Sequence, residues 1–313
     1  MNSINLENTY TSLPQEFFRY TEAETMPDIK LIKINEQLSD LLDIDISFLK
    51  SQAGLRFLSG KNSEFLPNSI SLAYAGHQFG HLVPQLGDGR AVLLGDKICK
   101  DGVRRDIQLK GSGKTYFSRG GDGRAGIGPV IREYLISESM HHLGVPTTRS
   151  LAVLSTGEKV VREEVTPGAM LARVATSHVR VGTFEFFALR NQRDNIRKLA
   201  DFMIERSHPD LSEKKKKYEL FFEKIVIGQA HLVAQWNSVG FIHGVMNTDN
   251  TSISYETIDY GPCAFMDSYE ANKVFSSIDQ FGRYAFSNQA RVAPWNLSRL
   301  AETILFLISE NTS

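Results

Sequence analysis

The sequence predicts an α+β fold in two parts, strand-rich over residues 1–166 and mostly helical over 167–313. Three observations carry this. Short β-prone runs separated by glycine-rich turns recur between Ser71 and Glu164. Amphipathic stretches with helical spacing, Asn195–Ile204 and Tyr218–Val239, dominate the second part. At 313 residues the chain is also large for one core, so two lobes are expected, with a hinge at Thr166-Pro-Gly168.

Composition sets outer bounds. With 42% hydrophobic and 23% charged residues and a formal net charge of -1, bulk electrostatics does not suit a nucleic-acid binder. Two cysteines, Cys99 and Cys263, are too few for a disulfide framework and form no metal-ligand spacing. The start, Met1-Asn-Ser-Ile-Asn-Leu-Glu, has no charged-then-apolar leader pattern, and no apolar run reaches the length of a membrane span. A cytoplasmic protein without nucleic-acid or membrane partners is expected.

Residues 1–60 carry a helix around Asn35–Leu42, marked by Leu38, Leu41 and Leu42, and no evident chemistry. Two β-prone runs then flank Gly87-Asp-Gly-Arg90, and Asp-Gly between them predicts a hairpin turn. Glycines there would let backbone N–H groups approach phosphates, with Arg90 adding a fork of donors. His77 and His81 stand at i, i+4, but Gly76, Gly80 and Pro84 argue against a helix, so they are read as structural. The run Asp106–Lys110 is a further strand. The following Gly111-Ser-Gly-Lys-Thr115 is not a P-loop, because Gln108 stands where the motif needs its first glycine and no helix follows.

A helix is predicted over Gly128–Gly144, with Pro129 at its start, Gly144 past its end and an apolar face of Val130, Ile131, Tyr134, Leu135 and Leu143. In protein kinases a lysine at the end of a strand contacts phosphates and pairs with a glutamate on the next helix. Lys110 fits that role, with Glu133 and Glu138 as candidate partners. Such a pair is expected at a solvent-accessible position, where it adds only ~0–1 kcal/mol. Strands Thr147–Leu154 and Glu158–Glu164 follow, joined by Ser155-Thr-Gly157. Beyond the hinge, Arg173 and Arg180 would share a face if their segment were helical, and in a cleft both could reach phosphate, although on spacing alone they read as surface arginines. Lys214–Lys217 reads as a solvated loop.

The second long helix leads into Phe241-Ile-His-Gly-Val-Met-Asn-Thr-Asp-Asn250, with Asp259-Tyr-Gly261 downstream. Kinases carry H-[RG]-D-x-x-x-x-N, whose Asp is the base and whose Asn holds a metal, followed by a D-F-G metal ligand. His243, Gly244, Asn250 and Asp259 match, but the base position is Val245, which accepts no proton. Either the fold lacks kinase chemistry or another residue does the work, and Asp249, next to Asn250, is the candidate substitute. Thr251–Ile258 suits a short hairpin that would bring Asn250 and Asp259 over one ion, and their oxygen donors suit Mg²⁺ or Mn²⁺. These features predict a two-lobed protein-kinase-like α+β fold, with a β-rich N-lobe and a mostly helical C-lobe. After Pro294–Leu300 and Leu305–Ile308 fewer helices remain than a kinase C-lobe uses, so the C-lobe is expected to be truncated.

Taken together, the stretches G-H-Q-F-G (76–80), Q-L-G-D-G-R (85–90), L-K-G-x-G (109–113), S-R-x-G-D-G-R (118–124), P-T-T-R (146–149), P-G-A-M-L-x-R-V-A-x-S-H (167–178), F-x-H-G-V-M-N-T-D-N (241–250) and D-Y-G-P (259–262) resemble the selenoprotein O / YdiU family of kinase-like protein adenylyltransferases. The resemblance implies ATP contacts from Gly87, Gly89, Arg90, Lys110, Asp122, Gly123, Arg173, Arg180 and Asp259, with Glu133 orienting Lys110. It implies metal ligands at Asn250 and Asp259 and a proton acceptor at Asp249. It further implies ATP bound in the reverse sense to kinases, which accounts for Val245, and protein hydroxyls as acceptors, those of the enzyme itself included. Lys114 departs from the usual pattern, and relatives commonly continue into a C-terminal region, in some with a redox-active selenocysteine or cysteine. The expectation is AMP transfer from ATP to Ser, Thr or Tyr. Its alternatives are UMP transfer from UTP with Mn²⁺ and an inactive nucleotide-binding pseudokinase scaffold.

Overall fold

In the first of the chain's two units, alternation along the β-prone runs builds an eight-stranded antiparallel sheet with helices on each face. The computed structural model describes residues 4–61 and 66–312; the opening Met1-Asn-Ser of the N-terminal stretch lies outside these. Contacts sort the chain into two units, Met1–Ala73 with Leu86–His142 and Thr148–Ser177, and Tyr74–Gln85 with Leu143–Thr147 and His178–Ser313.

The first unit begins with β1 (Phe18–Tyr20), β2 (Lys30–Ile34), α1 (Glu36–Leu41), α2 (Ile46–Leu49), α3 (Gln52–Leu58) and β3 (Ile70–Leu72). Asn35 caps α1 by accepting from Leu38 N. The chain then contributes β4 (Gly76–Gln78) and β5 (His81–Val83) to the second unit. It returns with β6 (Ala91–Ile98), β7 (Arg104–Lys110), β8 (Ala125–Gly126), α4 (Ile127–His142), β9 (Arg149–Val161) and β10 (Val165–Ala175). The sheet order is β1-β3-β6-β7-β10-β9-β2, with β8 added on β10.

Period-two alternation assigns the faces. Leu109, Ile107, Leu154, Met170 and Ala172 share a core with Leu38, Leu42, Leu49, Phe57 and Leu58 of the three short helices. The alternate residues Val153, Ala169 and Leu171 pack with Val130 and Tyr134 of α4. Lys110, Gln108 and Arg173 stand on this second face.

Several expectations are corrected. Residues 149–161 form one strand, not two; Ser155-Thr-Gly157 passes without reversal and the turn lies at Arg162–Glu164. Thr166-Pro-Gly168 is inside β10, where a register shift between Pro167 and Ala169 accommodates the proline. Asp88-Gly89 is not a hairpin turn, since β5 pairs with β4 and β6 with β3 and β7. The tight hairpin is Phe79-Gly80, both left-handed at φ 51 and 85, between Gln78 and His81. On α4 the buried stripe is Val130, Glu133, Ser137 and Met140, while Ile131, Leu135 and Leu143 are exposed. Two polar residues in the buried stripe disguised its phase.

The second unit holds α5 (Val181–Ala188), α6 (Arg193–Ser207), α7 (Lys217–Ser238), β11 (Phe241–Ile242), β12 (Ala264–Phe265) and α8 (Gln289–Thr312). The predicted helices at 195–204 and 218–239 are α6 and α7, and Lys217 opens α7 rather than ending a loop. Arg173 lies in β10 and Arg180 just before α5, so the two arginines share no helix. Thr251–Ile258 forms no hairpin; Ser252 bridges to Arg180 and Thr257 to Thr147. Cys99 and Cys263 are buried free thiols. No helix among the described residues is long and apolar enough to cross a membrane.

Candidate functional site

In the first unit, the α4 face of the sheet carries a row of buried polar groups. Lys110 Nζ meets Glu133 Oε2 at 2.7 Å, and Arg173 Nη1 meets Glu133 Oε1 at 3.3 Å. Arg173 Nη2 donates to Gln108 Oε1 at 2.5 Å, and Gln108 Nε2 donates to Asp88 Oδ2 at 3.0 Å. Asp88 also accepts from Leu72 N at 3.1 Å. Of the two candidate glutamates it is Glu133 that meets Lys110; Glu138 instead accepts from Arg149, Ser150 N and Asn35. The pair is not solvent-accessible as expected, because the Lys110 and Glu133 side chains are only 11% and 6% exposed. Arg173 is 1% exposed.

Three glycine turns lie beside this row. Thr115 Oγ1 donates to Asp88 O and Ser118 Oγ to Gly89 O, lacing residues 87–90 to 115–118. Gly111 N donates to Arg90 O, and Gly113 N to Gly123 O. A Cβ at Gly87, where φ is +79, would lie 2.3 Å from the Phe117 ring, and one at Gly123 would lie 2.0 Å from Gly113 O. Packing of chain on chain therefore already requires these glycines. Arg90 is exposed, whereas Asp122 is paired with Arg162 at 2.8 Å, a bond that holds its carboxyl down at about 2.

In the second unit, the loop after β11 is held from all sides. His243 is fully buried: Nε2–H donates to Ile258 O, Nδ1 accepts from Val245 N, and His243 N donates to Gln289 Oε1. Burial lowers its pKa, so the ring stays neutral. Asn247 Oδ1 accepts from Tyr284 Oη and Phe79 N, and Thr248 Oγ1 donates to Glu185 Oε2. Asp249 and Asn250 end the loop in a 3₁₀ turn spanning Thr248–Asn250.

Arg180 joins this loop to Asp259. Its Nη1 donates to Asp249 O at 2.7 Å and to Asp259 Oδ2 at 2.5 Å, while its guanidinium stacks 4.6 Å over the Tyr74 ring. Asp259 sits at φ +64, a left-handed conformation uncommon for a residue other than glycine. Asp249 is 7% exposed, and its Oδ1 has no hydrogen-bond partner among the described residues. Burial raises its pKa to about 6, a rise restrained by Arg180 and the Gln78 hydrogen bond and reinforced by Asp259. Near neutral pH it is a carboxylate basic enough to accept a proton.

The donors at the end of this loop and at Asp259 are oxygens, the atoms that Mg²⁺ or Mn²⁺ prefers. Asn250 spends its amide N–H on Val245 O at 3.0 Å, which leaves its Oδ1 as an acceptor. Asp259 adds a carboxylate. Among the described residues no group of three or more His, Cys, Asp or Glu could hold a metal ion. One amide oxygen and one carboxylate fit a hard cation that brings water and phosphate oxygens with it, and do not fit a closed zinc site.

Sequence reasoning missed Gln78, Glu185, Asn247 and Gln108 as partners of these groups. The available signal was the polar Gly-His-Gln-Phe-Gly stretch, too short and glycine-rich to support itself.

The family model described as protein adenylyltransferase SelO matches residues 1–312. A protein nucleotidyltransferase YdiU of Nitrobacter hamburgensis is 56% identical over 309 residues, covering 99% of this chain and 61% of that protein. Another of Bradyrhizobium diazoefficiens is 57% identical over 304 residues, covering 97% and 62%. The chain thus spans about three fifths of the length of these curated relatives. With the family model matched along almost its whole length, the chain belongs to the SelO family.

Proposed function

We propose that the two units are the lobes of a protein-kinase-like fold and that the protein transfers AMP from ATP to Ser, Thr or Tyr hydroxyls of proteins. The hydroxyl oxygen attacks the α-phosphorus, the bond from that phosphorus to the β-phosphate oxygen breaks, and pyrophosphate leaves. Asp249 takes the hydroxyl proton. Lys110, oriented by Glu133, serves the phosphates together with Arg90, Arg173, Arg180 and the turns containing Gly87, Gly89, Asp122 and Gly123. Asn250 and Asp259 would hold Mg²⁺ or Mn²⁺, which when bound neutralises phosphate charge.

What supports this reading most is the single Arg180 nitrogen that donates to both Asp249 O and Asp259 Oδ2, tying a metal-type carboxylate to the loop of the proposed base. Val245 supports it as well, since the γ-phosphate chemistry of a kinase would need a base there. Incubation with ATP labelled at the α- or γ-phosphate, and with α-labelled UTP, tests it. Protein should acquire the α-label from ATP and no γ-label; γ-label without α-label would overturn the proposal, and preference for UTP would replace AMP by UMP.

A further inference from the structure

We infer that the β4–β5 hairpin is a positioning clamp on Asn247-Thr248-Asp249 that fixes the orientation of the Asp249 carboxylate. The inference rests on the proposed role of Asp249 as proton acceptor. Three consecutive hairpin residues each hold one loop residue. His77 N donates to Thr248 Oγ1 at 2.6 Å, Gln78 Nε2 to Asp249 Oδ2 at 3.2 Å, and Phe79 N to Asn247 Oδ1 at 3.0 Å. His77 acts a second time through its ring, whose Nδ1 meets Glu185 Oε1 at 2.5 Å, while Glu185 Oε2 accepts from Thr248.

The two oxygens of Asp249 therefore differ. Oδ2 is held by a neutral amide, which fixes the carboxylate plane without neutralising it. Oδ1 is buried and has no partner among the described residues. Gly76 is what makes room. Its backbone is outside the left-handed region, so alanine is conformationally allowed, yet a Cβ there would lie 2.4 Å from Asp249 Oδ1 and 2.7 Å from Asp249 Cβ. Only a shift of the carboxylate could relieve that contact.

Gln78→Leu and Gly76→Ala test the clamp, with Asp249→Asn in parallel, each measured for kcat, KM for ATP, ATP binding with Mn²⁺, and melting temperature. Both clamp variants should lower kcat about 10- to 100-fold, the usual effect of misplacing a reacting group by about 1 Å or removing its orienting partner. KM and nucleotide affinity should stay near wild type and the melting temperature should fall by only several °C, a separation that loss of fold would not produce. If Asp249→Asn abolishes transfer while both clamp variants keep wild-type kcat, the clamp is overturned and the role of Asp249 stands. Equal losses in kcat, nucleotide binding and melting temperature would also overturn it, by reducing the hairpin to packing. Full transfer by Asp249→Asn would remove the reading beneath it.

Discussion

The buried Asp249 carboxylate destabilises the folded protein at neutral pH, so Asp249→Asn should gain stability while losing transfer. Burial raises the carboxyl from 3.8 to about 6, and at about 1.4 kcal/mol per pKa unit the charge costs about 3 kcal/mol once both states are ionised. The asparagine carbonyl can still accept from Gln78, but its amide NH₂ would take the buried place of Oδ1, which makes no hydrogen bond among the described residues, at a cost of about 1 kcal/mol. The net gain is about 2 kcal/mol at about pH 7.5 without metal or nucleotide.

The pH dependence fixes the sign. Since the folded pKa lies above the unfolded one, the folded state holds more protons between pH 3.8 and about 6, and wild-type stability falls as pH rises through that window. The variant lacks this slope. Its advantage should therefore be full above about pH 7 and gone below about pH 4. Melting curves in EDTA across this range resolve it, because each kcal/mol moves the midpoint by about 2–4 °C in a unit of this size. A variant less stable than wild type at about pH 7.5, or a difference that does not change with pH, would refute the reasoning.

Three other expectations follow from the same geometry. Lys110→Ala and Glu133→Ala should each lower transfer strongly, with the double variant little worse than either, as a kinetic double-mutant cycle would read. Glu133→Ala should also destabilise by about 3 kcal/mol in chemical denaturation, because Lys110 and Arg173 would be left buried without their shared carboxylate; unchanged stability would contradict the buried pair. His243, whose pKa burial lowers, contributes stability present above its unfolded value of 6.5 and lost as pH falls below that, so its ring should titrate by NMR at a lower pH than a free imidazole. Asp259→Ala should abolish transfer, and wild-type protein should bind Mn²⁺ tightly in calorimetry only when ATP is present, since the protein offers one amide and one carboxylate oxygen.

The parts of the fold legible in the sequence were those whose signals are local. Helices α6 and α7 follow from their spacing, and α4 from Pro129 and Gly144, the latter left-handed at φ +76 just past the helix end. The phase of α4 was not legible, because Glu133 and Ser137 occupy buried positions that a hydrophobic pattern reserves for apolar residues. The Asp88-Gly89 turn misled because the Asp88 side chain is committed to Leu72 N and Gln108, partners that only the sheet register brings near. At the candidate site, Lys110 and Glu133 could be matched to a template, but their burial depends on Arg173 arriving from β10.

Segment 74–85 marks the deeper limit. By position it falls among the strands of the first unit, yet its contacts belong with α5 and the loop ending at Asn250. Its few residues form a two-residue hairpin with little core of its own, and such a hairpin is marginal in water without packing. Its order must come from what it grips: Asn247, Thr248, Asp249 and, through Arg283 beside Gly80 and the Tyr284 hydroxyl on Phe79 N, the segment before α8. Dependence runs both ways, because the hydrogen bonds that order the hairpin are the ones that fix the loop. Substitutions in Gly76–Gly80 should accordingly behave as changes to the loop some 170 residues away, a coupling that no local periodicity encodes.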